Sequence, residues 1–145
     1  MSTSHPREPG AKAHRFAPAA PDETLVYGAC SPGWHSVASH DDALADWIAF
    51  MNGRGVERVC CLLAGCGSGG TLDSYDRAFG ADAVLHAPSP DHRLVDETLL
   101  ADAVVPFLDD AVAAGERVVV HSLAGIGRTG QVLAVWLAQD RKSVV

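Results

Sequence analysis

The sequence predicts an α/β fold, with a central, mostly parallel sheet of about four to five strands flanked by helices. Three observations carry this. Short β-branched or apolar runs alternate with amphipathic stretches of helical period. Gly and Pro punctuate the boundaries between them. A chain of 145 residues, 48% hydrophobic and 20% charged, is also long enough to build one core without a disulfide or metal staple.

Residues 1–22 mix Pro, Ala and charge without a period and are expected to form a flexible N-terminal tail, leaving 23–145 as the folded domain. Leu25, Val26 and Tyr27, ahead of Gly28, make the first expected strand, and Ser31-Pro32-Gly33 turns the chain. From Asp41, the spacing of Leu44, Trp47, Ile48 and Met51 predicts an amphipathic helix capped by Ser39 and stopped at Gly53. Val56 to Leu63 reads as a buried strand, followed by a Gly-rich loop and a short helix ending at Gly80. Ala83 to His86 forms the next strand. A longer helix follows Asp96, with Leu99, Leu100, Ala103, Val104, Phe107, Leu108 and Val112 as its stripe and Gly115 as its stop. Pro106 is expected to kink it. Arg117 to His121 is a β-branched strand, and a last helix from Thr129 to about Arg141 is apolar nearly all round and expected to be buried.

A formal charge of -7 gives no general attraction to nucleic acid or to an anionic membrane surface, so neither partner is expected. Any bound anion must be captured locally. The apolar run from Val132 to Ala138 is too short to cross a bilayer, and the N-terminal residues do not resemble a signal peptide. Cys30, Cys60, Cys61 and Cys66 match no paired zinc spacing, and reduced thiols are expected, with Cys60 and Cys61 in the core. The cytoplasm is the expected location. The histidines form no metal pattern, and the sequence sets no oligomeric state.

The segment with the most chemistry is His121-Ser122-Leu123-Ala124-Gly125-Ile126-Gly127-Arg128-Thr129-Gly130, between the last strand and the last helix. A strand feeding a Gly-rich turn at a helix N-terminus points backbone N–H groups into one concavity, where the helix dipole adds positive potential. Arg128 can close that cradle with a planar fork of donors matched to two phosphate oxygens.

This decapeptide resembles the signature of the protein tyrosine phosphatase superfamily. There, His-Cys, five further residues, Arg and Ser or Thr form a phosphate-binding loop around a cysteine nucleophile. Ser122 stands at the cysteine's position, and every other defining position matches. Ser89-Pro90-Asp91-His92 resembles the family's Pro-Asp-His loop, which carries a general acid. The short chain is similar to the compact dual-specificity group. It ends soon after the last helix, where relatives usually continue, which reads as a truncated or minimal form.

The resemblance implies a phosphatase-like fold and a phosphomonoester hydrolase needing no metal or cofactor. It implies roles as well. Asp91 would protonate the leaving alcohol and then activate water, and Arg128 would hold phosphate oxygens with the backbone of Leu123, Ala124, Gly125, Ile126 and Gly127. The Thr129 hydroxyl would bond the nucleophile, and His121 would orient the loop. Asp96 is the nearest other candidate acid.

Ser122 departs from the pattern, because a serine hydroxyl is un-ionised near neutral pH and needs an adjacent base. His121, its neighbour on a strand, should point to the other face of the sheet. Three readings remain open: an engineered Cys-to-Ser form of an active phosphatase, a natural pseudophosphatase that binds phospho-residues, and a serine-using hydrolase. The expected partner is a phosphorylated protein or small phosphomonoester. Leu123 and Ile126 occupy positions where phosphoinositide-directed relatives carry Lys, so phosphotyrosine is expected, with phosphoserine or phosphothreonine as extras.

Overall fold

The computed structural model describes residues 13–33, 39–64, 70–90, 93–123 and 127–142. A five-stranded sheet forms its centre, in the spatial order β1-β2-β5-β3-β4. The strands are β1 (Ala17–Pro18), β2 (Val26–Ala29), β3 (Val56–Leu63), β4 (Val84–Ser89) and β5 (Arg117–His121). All neighbouring pairs are parallel except β1 with β2. The α/β class and the mostly parallel sheet read from the sequence are therefore what the chain adopts.

The helices are α1 (His40–Gly53), α2 (Thr71–Phe79), α3 (Glu97–Leu99), α4 (Val105–Ala114) and α5 (Gly127–Lys142). Successive side chains of a strand point to opposite faces, and β5 divides the molecule accordingly. Val118 and Val120 pack with Leu100, Val104, Leu108, Val132 and Trp136 on one side. Val119 packs with Leu44, Trp47, Met51 and Tyr75 on the other.

Ser39 caps α1, its hydroxyl accepting from the Asp42 N–H at 3.2 Å, and Ala43, Leu44, Trp47 and Met51 are its buried residues. Gly115 ends α4 in a left-handed conformation (φ 70°) that glycine adopts without steric cost.

Four elements depart from expectation. Residues 17–18, inside the expected tail, add an antiparallel edge strand in which Ala17 pairs with Gly28, and Phe16 stacks on Tyr27 with ring centroids 4.6 Å apart. A two-residue strand leaves no periodicity to read. β4 runs on through Pro88 to Ser89, because it lies at the edge of the sheet, where a missing N–H costs no ladder bond. Pro106 does not break the helix at its centre. A π-helical turn over Leu100–Val104 joins α3 to α4, so that Pro106 falls in the first turn of α4, where its absent N–H is tolerated. Finally, α5 is not buried all round. Val132 and Trp136 face the core while Gly130, Ala134 and Ala138 face out, alanine being apolar enough to blur the pattern yet small enough to expose.

Cysteine usage also differs. Cys30 and Cys60 are free, but Cys61 is disulfide-bonded, and Cys66 lies outside the described residues. Spacing alone does not reveal a bridge, which depends on how closely the fold brings two side chains together. Among the described residues, no helix is long and apolar enough to cross a membrane.

Candidate active site

In open α/β sheets, ligand sites lie beyond the carboxyl ends of the strands. The central strand β5 ends there on His121, and Ser122 follows. Ser122 is 2% exposed, and its hydroxyl lies 2.8 Å from the Thr129 hydroxyl in the first turn of α5. Gly28 permits this approach. A Cβ on Gly28 would stand 2.9 Å from both Thr129 Cγ2 and Leu133 Cδ1, so α5 could not sit as close to β2 with any other residue.

His121 points to the opposite face, as alternation requires. It is fully buried, with Nε2 3.0 Å from the Tyr75 hydroxyl and an edge-to-face contact with Trp47. Trp47 is itself held by its Nε1–H donating to the Cys30 carbonyl at 2.9 Å. Among the described residues, no side chain or backbone group meets His121 Nδ1 at hydrogen-bond geometry. Burial lowers the His121 pKa to about 4, partly opposed by the Ser122 backbone and reinforced by the Arg128 charge and His86. The ring is therefore neutral near pH 7. It lies on the wrong face to take a proton from Ser122.

Arg128 is 7% exposed, unusual for a cation, and its Nη1 donates to the carbonyls of Ser89 and Leu62, the latter at 3.3 Å. These carbonyls lie at the C-terminal ends of β4 and β3. A planar guanidinium fixed by two backbone acceptors is a preorganised anion ligand, since little side-chain freedom is left to lose on binding. Leu123 is 39% exposed. Its carbonyl accepts from the Ser31 N–H at 3.0 Å and from the Ser31 hydroxyl at 3.1 Å, which keeps that acceptor turned toward Ser31.

Ser122, Thr129, Arg128 and Leu123 are thus together at one end of β5, with His121 behind the sheet. Gly127 begins α5. Asp91, Ala124, Gly125 and Ile126 lie outside the described residues. Asp96, the other candidate acid, caps α3 by accepting from the Leu99 N–H at 3.0 Å. The sequence assigns no site role to Ser31, Tyr75, Gly28 or Gln131, whose Oε1 accepts from the Val95 N–H at 2.7 Å. Only Gly28, a glycine interrupting a strand, carried a local signal. Among the described residues no three His, Cys, Asp or Glu side chains group so as to hold a metal ion.

An arginine buried in the first turn of the helix that follows the central strand, its guanidinium held on strand-end carbonyls, fits the class of dual-specificity and tyrosine phosphatases. Comparison with known proteins gives the family. Residues 35–141 match the family described as Tc-R-P, polymorphic toxin system, DSP-PTPase phosphatase, and the chain belongs to it. No curated protein sequence matches significantly.

Solved structures share the fold. The active form of Tk-PTP superposes with a TM-score of 0.65 at 22% identity, over 83% of this chain and 71% of that one. A kinase-associated phosphatase with its catalytic-site cysteine replaced by serine gives 0.63 at 16% identity, over 79% and 65%. A cysteine-to-serine form of TpbA from P. aeruginosa, in complex with phosphotyrosine, gives 0.52 at 22% identity, over 81% and 60%.

Proposed function

We propose that this phosphatase-type domain binds phosphomonoesters in the loop from Leu123 to Gly127, and that with cysteine at position 122 it hydrolyses them through a phosphocysteine intermediate. The observation that carries this is the buried Arg128, fixed by two strand-end carbonyls beside the Ser122–Thr129 pair. In the reaction the thiolate of a cysteine at that position attacks phosphorus, and the P–O bond to the leaving group breaks. Asp91 gives its proton to the departing oxygen. Asp91 then takes a proton from water, which attacks phosphorus, breaks the P–S bond and releases phosphate. Arg128 and the loop N–H groups hold the oxygens throughout, Thr129 donates to the nucleophile, and His121 supports the loop from behind.

As it stands, Ser122 leaves the site able to bind but nearly inert. Its hydroxyl meets Thr129, not a base, and His121 is turned away toward Tyr75. This weighs against the serine-using hydrolase. The substrate is a phosphorylated protein, with phosphotyrosine preferred. The exposed Leu94 and Leu123, which follow the acid-bearing segment and the nucleophile position, offer apolar surface suited to an aromatic ring. A second reading, a natural pseudophosphatase serving as a phospho-residue binding module, is favoured by Ser122 itself.

Titration of inorganic phosphate and vanadate into the Ser122 chain tests the shared part of both readings. Saturable binding is expected, with most of it lost in Arg128→Ala. Equal affinity in Arg128→Ala would overturn the site.

A further inference from the structure

Tyr75 belongs to α2, outside the phosphate-binding segment, yet it is fully buried and its hydroxyl reaches the residue beside the nucleophile position. Its oxygen lies 3.0 Å from His121 Nε2, and the two rings meet edge to face at 86°. Trp47 packs on both, its ring centroid 5.0 Å from that of His121 and 5.2 Å from that of Tyr75. A phenylalanine would fill the same space without burying a hydroxyl, so the bond to His121 is what sets tyrosine apart here.

The direction of that bond follows from counting partners. His121 is neutral near pH 7, so one ring nitrogen carries the proton and the other a lone pair. Burial raises the Tyr75 pKa, and the phenol keeps its proton. Among the described residues the Tyr75 hydroxyl meets Nε2 alone, and no group meets Nδ1 at hydrogen-bond geometry. Were Nε2–H the donor, the Tyr75 proton and the Nδ1 lone pair would both be buried unpaired. With Tyr75 donating, only Nδ1–H is, and each unpaired group carries its own desolvation cost. The proton therefore belongs on Nδ1, the ring nitrogen nearer the main chain, and the Ser122 backbone favours a proton on this ring.

We propose that Tyr75 is a positioning residue that, by donating to His121 Nε2, keeps the His121 proton on Nδ1 and turns the positive end of the imidazole toward the main chain of the nucleophile position. The inference rests on the reading of position 122 as the place of a cysteine nucleophile. In a buried, weakly screened setting an N–H dipole behind that position favours a thiolate, and a lone pair there opposes it. Arg128 from α5 and His86 from β4 also act on the ring. Cys61, the register partner of His121 on β3, is disulfide-bonded and does not titrate. All three are left in place by a change at Tyr75.

The test uses the full chain. Long-range proton–nitrogen correlation spectra of the Ser122 parent should show His121 protonated at Nδ1 and bare at Nε2, and Tyr75→Phe should populate both tautomers. In the Ser122→Cys background, Tyr75→Phe should raise the thiol pKa by about 0.5–1 unit, read as alkylation by iodoacetamide slowed about 3- to 10-fold on the acidic side. His121→Asn has no atom at the Nε2 position, so adding Tyr75→Phe to it should move the thiol no further. A proton found on Nε2 in the parent would overturn the inference. So would a Tyr75→Phe chain whose urea midpoint falls while its alkylation profile stays put, which is the mark of a merely structural tyrosine, or a full shift from Tyr75→Phe beside His121→Asn. If the Ser122→Cys parent titrates as an ordinary thiol near ~8.5 and turns over no aryl phosphate, the reading beneath falls and this inference falls with it.

Discussion

The Ser122 and Thr129 hydroxyls lie 2.8 Å apart, and both are buried. Ser122 directly follows the central strand and Thr129 lies in the first turn of α5, so this single bond joins the two elements that would cradle a phosphate. A serine leaves it a neutral hydrogen bond. A thiolate in the same place would make it charge-assisted, which is stronger.

The bond therefore predicts how Thr129 tunes a cysteine at position 122. In the Ser122→Cys chain, Thr129→Val keeps the methyl group that packs toward β2 and removes the donor. A hydrogen bond to a charged group contributes ~1.5–3 kcal/mol, so its loss should raise the thiol pKa by about 1–2 units. The pH dependence of alkylation by iodoacetamide reads this directly. An unshifted alkylation profile would mean that Thr129 does not bond the nucleophile.

Gly28 should tolerate no side chain. In Gly28→Ala the new Cβ meets Leu133 Cδ1, which can swing aside, and Thr129 Cγ2, which cannot. Overpacking of this kind costs ~1–3 kcal/mol, visible as a lower urea midpoint. Adding Thr129→Ser, which removes Cγ2 and keeps the hydroxyl, should restore part of the loss. A Gly28→Ala chain as stable as its parent would show that α5 does not need this close approach.

His121 makes stability depend on pH in a stated direction. Its folded pKa is lowered to about 4 by burial, from an ordinary value of 6.5. Between those values the unfolded chain takes up a proton that the folded chain refuses. The stabilisation from this group is therefore complete above pH 6.5 and falls as the pH drops toward 4, by ~3 kcal/mol. Urea unfolding at stepped pH, compared with His121→Gln, isolates it. Equal pH slopes in the two chains would contradict the assignment.

The α/β class, the central strand and the signature were legible because each rests on local pattern: β-branched runs, helical spacing, and a Gly-rich turn ahead of an arginine. Relations across the chain were not. Gln131 reads as an exposed helical polar residue until β4 and α3 bring Val95 beside it. Tyr75 reads as one apolar position of a short helix, yet it receives His121 from a strand 46 positions away. Cys61 gave no sign of its bond, and Ala134 and Ala138 disguised the solvent face of α5 as core. In each case the missing information was the partner, which spacing along one segment does not contain.

Turnover of p-nitrophenyl phosphate by Ser122→Cys, measured under reducing conditions beside the Ser122 parent, is the most direct test of the proposed chemistry. Hydrolysis is expected from the cysteine chain, inhibited by vanadate and abolished again in Ser122→Cys with Arg128→Ala, and almost none from the parent. A correctly folded cysteine chain that binds phosphate but does not turn over would contradict the phosphatase reading and leave a phospho-residue binding module in its place.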